Sequence, residues 1–304
     1  MNTPTPEYTR DAVWGPMSHP ATDTIDAGLA PWKDHIYIAF WDDKNAVYGF
    51  FHWNSSPNHN TGKAQLTMLA KGKFFNLKEF QPASTTHFAS ESFDFDMRGA
   101  IDMHGKELTG SIRMEPRFVP VDYTGHKQIL PPLVPGHPLN HWQQGLTMRG
   151  EFQLDGVSYP IDALGFRTRT WGFRDDSMQF LEYFSLFACF EDFDVSIMKF
   201  RQPDGSMRTD GAVVRRDGSS VRFDEIHITR DSAGSPLKLV LDLVDGSKLE
   251  LKRLQRTADM WCPIGPPERE GPTFCAFDEF IEWESADGQR GYGLNEQAII
   301  RFVC

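Results

Sequence analysis

From residue 35 onward the chain is written in short aromatic and β-branched runs punctuated by Asp, Asn and Gly. His35–Trp41 and Ala46–Trp53 flank Asp42-Asp43-Lys44-Asn45, a pattern that predicts a hairpin. Lys63–Ala70 reads as a third strand after the Asn- and Gly-containing stretch 54–62, followed by Phe88–Met97 and Gly99–Met103. His104-Gly105 then turns the chain into Leu108–Met114. Further on, Asp155-Gly156, Asp204-Gly205, Asp217-Gly218, Asp245-Gly246 and Asp287-Gly288 each sit between apolar-alternating runs. Asp-Gly tolerates the positive φ of tight hairpins, so this series predicts an antiparallel meander. Leu237–Leu243 and Lys248–Leu254 alternate cleanly around one such turn, and helical periodicity is nearly absent. The pattern predicts an all-β protein.

Proline marks the divisions. Residues 1–34 carry Pro4, Pro6, Pro16, Pro20 and Pro31 and read as irregular, with Trp14 and Trp32 as anchors. Six prolines between Pro116 and Pro138 remove backbone donors, so that stretch is no central strand. It serves as an interdomain connector or as a long loop over a pocket mouth. The expected organisation is an irregular segment 1–34, a β-barrel-like domain 35–138 ending in the connector, and a second β-barrel-like domain 139–304. Asp259–Phe277, with Cys262-Pro263 and Gly265-Pro266-Pro267, is expected to be a long irregular loop.

Composition narrows the function. With 40% hydrophobic residues, 24 Phe and 8 Trp in 304 residues, wide apolar interiors can be filled or can line a pocket for a greasy ligand. A formal charge of −11 and the lack of a Lys/Arg run argue against nucleic acid as a partner. No stretch approaches the roughly 20 apolar residues of a membrane span, and Met1–Pro16 lacks the order of a secretory signal. Four scattered cysteines without CxxC spacing read as reduced thiols in a cytoplasmic protein.

Familiar catalytic motifs are missing. There is no phosphate-cradling GxxxxGK[ST], no GxSxG elbow and no HExxH. Gly291-Tyr292-Gly293 runs into Glu296 where a dinucleotide loop needs glycine. His137 and His141 are four apart, but Pro138 breaks the helix a metal pair would need. The expectation is therefore no organic cofactor, no metal, and chemistry by side-chain acids and bases.

The densest polar constellation is Gly165–Asp194, GFRTRTWGFRDDSMQFLEYFSLFACFEDFD. Arg167 and Arg169 alternate with Thr168 and Thr170, so both arginines face one side of a strand. Trp171-Gly172 breaks the alternation, and Arg174, Asp175 and Asp176 follow. Charges inside an aromatic run need partners, and Arg169 or Arg174 with Asp175 is the expected pairing. Two readings stand: an ion pair that closes a barrel, or the polar end of an apolar pocket, where an arginine stabilises an oxyanion and a carboxylate moves a proton. His141, in Asn140-His141-Trp142-Gln143-Gln144, titrates near neutrality in its ordinary state. Glu296 precedes the last strand, Ala298–Val303.

These segments resemble a bacterial tandem-lipocalin superfamily, calycin-like double β-barrels related to carotenoid 1,2-hydratases, and are closer to its uncharacterised branch. The family motif is Gly-x-Arg-Asp-(His or Arg)-Ser-Trp-Gly-x-Arg-Asp. Gly165, Arg167, Arg169, Trp171, Gly172, Arg174 and Asp175 match it, and Thr168 and Thr170 replace its Asp and Ser. His141, Gln144, Gly150, Asp155 and Gly156 match the strand before the motif, and Gly291, Gly293 and Glu296 match a closing Gly-x-Gly-x-x-Glu. The resemblance covers about residues 140–304 and implies two consecutive lipocalin-like antiparallel barrels or sandwiches. The hydratase branch carries a His where Arg169 stands here.

Together these readings predict a cofactor-independent lyase, hydratase or isomerase acting on a hydrophobic isoprenoid or aromatic small molecule. Arg169, Arg174 and Asp175 would form the reactive end, His141, Tyr183 or Glu296 would carry protons, and Trp53, Trp142, Trp171, Phe184 and Tyr292 would hold the apolar body. The rival reading is a non-catalytic carrier of a lipid or aromatic metabolite. A homodimer is compatible with either.

Overall fold

The structure, a computed structural model, describes residues 17, 30–127, 129–264 and 270–303. Trp14 and Cys304 lie outside the described residues. In chain order the strands are β1 (Trp32–Asp42), β2 (Val47–Ser56), β3 (Thr61–Ala70), β4 (Lys73–Gln81), β5 (Phe93–Phe95), β6 (Ala100–His104), β7 (Leu108–Pro116), β8 (Val121–Asp122) and β9 (Asn140–Leu154). They continue with β10 (Val157–Phe173), β11 (Glu182–Cys189), β12 (Phe193–Arg201), β13 (Met207–Arg215), β14 (Ser220–Arg230), β15 (Pro236–Leu243), β16 (Lys248–Pro263), β17 (Gly271–Ser285) and β18 (Arg290–Val303). One 3₁₀ turn at Pro57–His59 and one helical turn at Asp176–Gln179 are the helical pieces among the described residues, so the all-β expectation holds.

Two compact units share the chain: Met1–Pro120 with Pro132–Arg174, and Val121–Pro131 with Asp175–Cys304. The first holds a curled antiparallel sheet of order β4-β3-β2-β1-β10-β9-β7-β6-β5, and the second a closed barrel of β11 to β18 in sequence order. The domain boundary therefore differs from the one expected at residue 138. β9 and β10 complete the first sheet, because Leu164–Phe173 of β10 pair with β1 and β9 pairs along β10, and the chain passes finally to the second unit after Arg174. The prolines mark the other crossings, at Pro120 and at Pro131-Pro132.

In the first unit the core collects one row from each strand, including Ile36, Ile38 and Phe40 of β1 with Phe51 and Trp53 of β2. Tyr159, Ile161 and Ala163 of β10 join them. In the second unit Leu186, Ile197, Val213, Leu241, Ile281 and Trp283 fill the barrel. All five Asp-Gly pairs sit between consecutive paired strands, β9–β10, β12–β13, β13–β14, β15–β16 and β17–β18.

Two expectations need correcting, and one strand had no expectation. β1 starts at Trp32, because Trp32, Lys33 and Asp34 already pair with Phe173, Gly172 and Trp171. β4 pairs with β3 along its length although its sequence, KFFNLKEFQ, alternates poorly. Asp259–Pro263 and Gly271–Phe277 belong to a hairpin arm rather than a loop: Asp259 to Pro263 pair with Glu279 to Cys275 across β16 and β17. Pro263 and Pro272 fall near strand ends, where a missing donor is tolerated. Residues 265–269 lie outside the described residues.

Candidate functional site

Directly opposed residues of antiparallel strands point to the same face, so the register sorts the site residues of the first unit. Ile36 faces Arg169 and Ile38 faces Arg167. The row Tyr159, Ile161, Ala163, Gly165, Arg167, Arg169, Trp171 is thus continuous on the core side of β10, and both arginines share one face as the alternation predicts. Arg169 takes its carboxylate partner from β1: Nη2 donates to Asp34 Oδ2 at 2.9 Å and Nε to Oδ1 at 3.3 Å, both side chains buried. Its guanidinium lies 5.2 Å from the Trp171 ring centroid, and Trp171 lies 6.2 Å from Trp142. Trp53, one strand beyond β1, stacks instead with Phe51 and Phe88 in the core. The expected partner was Asp175, for Arg169 or Arg174; the structure gives Arg169 a carboxylate 135 residues away, Asp34.

The opposite face of the same strands carries a buried polar layer. His35 and Tyr37 of β1 face Thr170 and Thr168 of β10 and Asn54 and His52 of β2. His141 and Gln143 of β9 lie beyond the two threonines, and Lys63 and Gln65 of β3 lie beyond Asn54 and His52. His35, His52, His141, Lys63, Gln65, Gln143, Thr168 and Thr170 are all buried. His141 Nδ1 shares a 2.7 Å hydrogen bond with Thr170 Oγ1, and Gln143 Nε2 donates to Thr168 Oγ1 at 3.1 Å.

Within this layer Arg174 Nη1 donates to His35 Nδ1 at 3.0 Å. A guanidinium has no acceptor, so Nδ1 carries a lone pair and His35 is the neutral tautomer protonated at Nε2. His35 and His52 meet edge to face with centroids 4.5 Å apart. Neither ring nitrogen of His52 has a hydrogen-bond partner among the described residues. Burial and the Arg174 charge hold His141 down to about 3. Burial also pushes His35 and His52 well below the ordinary imidazole range, and the cations Arg174, Lys63 and Lys33 push the same way. Three imidazoles are thus neutral at pH 7 beside a fixed cation.

The remaining sequence-predicted residues belong to the second unit. Tyr183 packs its ring on Phe180, Phe200 and Phe274, and Phe184 lies under the Arg230 guanidinium at 4.9 Å. Tyr292 Oη donates to Glu282 at 3.2 Å. Glu296 is buried opposite Ser185 and Asp278, and Asp278 accepts from the Cys262 thiol at 3.2 Å. The Asp175 amide donates to Gln179. The predicted set is therefore divided: Trp53, His141, Trp142, Arg169, Trp171 and Arg174 in one unit, and Asp175, Tyr183, Phe184, Tyr292 and Glu296 in the other.

Sequence reasoning passed over Asp34, His35 and His52. A signal for the histidines existed: the Asp42–Asn45 hairpin fixes a register in which His35 and His52 share a face. For metals, Glu225, His227 and Asp242 form a three-donor group on the second unit's surface, where Asp242 already pairs with Lys248 at 2.8 Å. Cys189, Cys262 and Cys275 are free thiols.

A model of a domain of unknown function, DUF7064, matches residues 18–299. The chain belongs to the DUF7064 family. No curated protein sequence matches it. Among solved structures, this DUF7064 protein is similar to an AttH-like protein of Nitrosomonas europaea at 11% identity and TM-score 0.61, with 93% of this chain and 97% of that one covered. Kievitone hydratase from Nectria haematococca aligns at 11% identity and TM-score 0.62 over 97% and 95% of the two chains. CghA aligns at 10% identity and TM-score 0.60 over 97% of each chain, and has also been solved with Sch210972. At these identities the likeness establishes the shared fold. No helix of the described residues is long and apolar enough to cross a membrane.

Proposed function

We propose that this DUF7064 protein is an acid–base enzyme, a lyase, hydratase or isomerase, that acts on a hydrophobic small molecule at the polar layer of the first unit's sheet. The observation that carries the reading is His52, a buried neutral imidazole with no hydrogen-bond partner among the described residues, set against His35 and its Arg174 partner. A neutral imidazole is the form that accepts a proton, although burial and the surrounding cations lower its basicity here, and the adjacent guanidinium stabilises the negative charge that develops when carbon or water is deprotonated. His141, hydrogen-bonded to Thr170, is a second neutral imidazole in the same layer. The Asp34–Arg169 pair under Trp171 holds β1 and β10 in the register that brings His35 near Arg174.

Two comparisons support the chemistry. One protein of this fold is named a hydratase, and adding water to a double bond is a pair of proton transfers. The motif around Arg169, Trp171 and Arg174 resembles that of the carotenoid 1,2-hydratase relatives, and the aromatic composition suits an isoprenoid or aromatic substrate. Every proton step in this reading is assigned to side chains, without an organic cofactor. Asp175, Tyr183 and Glu296 are given no step.

The test is solvent deuterium incorporation into a panel of isoprenoid alkenes and aryl enones, followed by mass spectrometry. Wild type is expected to label at least one class, and folded Arg174→Met and His52→Phe to label it at least about 100-fold more slowly. Labelling at the wild-type rate in both variants would overturn the assignment. Binding of the panel without labelling by wild type would favour the carrier.

A further inference from the structure

The second unit has a cavity that the proposed chemistry does not use. It measures about 620 Å³, within the range of small-molecule pockets. Its walls extend the inward rows of the barrel. Phe184 lies two residues before core Leu186, Lys199 two after core Ile197, and Phe277 two pairs above core Ile281 and Trp283. The cavity is therefore an end of the barrel, and the apolar cluster is its floor.

Its charge is uneven. Lys199, Arg201 and Arg230 line it against one carboxylate, Glu182, and Glu182 is taken by Arg201 at 3.5 Å. Lys199 is half-buried and has neither a hydrogen bond nor an ion pair among the described residues. Arg230 donates to the Gly234 carbonyl at 2.5 Å and to Gln297 Oε1 at 3.2 Å, both neutral acceptors. The buried acid below them, Glu279, is already satisfied by Arg256, Ser235, Asn295 and Gln297 at 2.5–3.2 Å. Lys199 thus faces the cavity without a carboxylate of its own, and Arg230, attracted by Glu279 and Glu182, spends its hydrogen bonds on neutral acceptors, in a chain whose net charge is −11. The rim is apolar: Trp261 and Met207 are 60% and 51% exposed.

A half-buried Lys199 and an exposed Arg230 on a cup with aromatic walls and an apolar rim match a molecule with an acidic head and a greasy body. We infer that this end of the barrel binds an amphipathic organic carboxylate, its head on Lys199 and Arg230 and its body against Phe184, Phe277 and Trp261. The site is separate from the histidine layer and stands whether or not that layer is catalytic.

Decanoate is the probe, with decan-1-ol and acetate as controls, titrated into the full chain by calorimetry with Trp261 followed by comparing the Trp261→Phe variant. Saturable one-to-one binding of decanoate is expected, with decan-1-ol and acetate each at least tenfold weaker. Lys199→Met is expected to weaken decanoate at least tenfold and to leave decan-1-ol unchanged, and it should fold normally because Lys199 has no bond to lose. Arg230→Lys keeps the charge and is expected to keep most of the affinity. Equal binding of decanoate and decan-1-ol, unchanged affinity in folded Lys199→Met, or no saturable binding would each overturn the proposal.

Discussion

β1 and β2 of the first unit and β15 of the second are buried differently. In β1 and β2 almost every residue is buried, on both faces, whereas β15 alternates between buried and half-buried along its length. A strand wet on one face can send its polar residues to water. A strand covered on both faces cannot, so each polar side chain in it must find a partner or carry a desolvation cost. In the second barrel charged surface rows such as Lys238 and Glu250 pair in the open, at 2.7 Å. In the first sheet His35, His52, His141 and Lys63 are enclosed. A polar residue in a doubly buried strand is therefore the more informative one, and it is there that the proposed chemistry lies.

Acid provides the largest test of that contrast. The three histidines buried in the first unit's polar layer, His35, His52 and His141, have folded-state pKa values held below the unfolded value of about 6.5. Below that value the unfolded chain binds protons that the folded layer refuses. Their contribution is whole above about pH 6.5 and is lost as pH falls, at up to about 1.4 kcal/mol per histidine for each pH unit. The groups facing them are Arg174, Lys63 and Lys33, all cations. The described histidines of the second unit, His126 and His227, instead face Asp210 and Asp242. Hydrogen exchange at pH 5 is expected to lose protection in β1–β3 before β15–β17. Equal loss in both units, or none, would break the comparison.

Next in size are the buried carboxylates. Asp34 rests on Arg169, whereas Glu279 accepts from an arginine, a hydroxyl and two amides. Asp34→Asn leaves Arg169 buried with a neutral partner and is expected to cost about 3–5 kcal/mol. Glu279→Gln keeps the shape and one acceptor oxygen for several donors, and is expected to cost about 1.5–3 kcal/mol. Urea denaturation of the two variants measures the order, and a larger loss at Glu279 would reverse the argument.

The same contrast explains what the sequence disclosed. The second unit was legible because Asp-Gly turns and period-two alternation are local signals, and each of its four Asp-Gly turns joins paired strands. The β16–β17 arm was hidden by Pro263 and Pro272, which read as breakers but sit near strand ends. The domain boundary was hidden by a pairing of high sequence separation, β1 with β10, which no local pattern encodes. At the site, the shared face of Arg167 and Arg169 followed from alternation. The partner of Arg169 did not, because Asp34 lies 135 residues away in a stretch whose prolines suggested irregular chain.

The smallest expected effect separates the turns of the two units. At β9–β10 both turn residues take positive φ, Asp155 at 52° and Gly156 at 76°. At β15–β16 Gly246 has φ 85°, while Asp245 is not in the left-handed region and instead accepts the Ser247 amide at 3.0 Å. The Leu243 amide reaches Ser247 O and the Gly246 amide reaches Leu243 O, both at 2.9 Å, so the loop closes on backbone bonds that a side chain at 246 would not disturb. A Cβ at Gly246 would meet nothing within 4 Å. The cost of Gly246→Ala is then conformational alone, about 1 kcal/mol, and Gly246→Asn should cost less because asparagine tolerates this region. For a unit of this size about 1 kcal/mol lowers the melting midpoint by about 2–4 °C. In the first unit Asp155→Val places a β-branched residue at positive φ and should cost more than Asp245→Val, which loses mainly the amide cap. Thermal melts of the four variants test the order, and equal losses for Asp155→Val and Asp245→Val would show that the two turns share one geometry in solution.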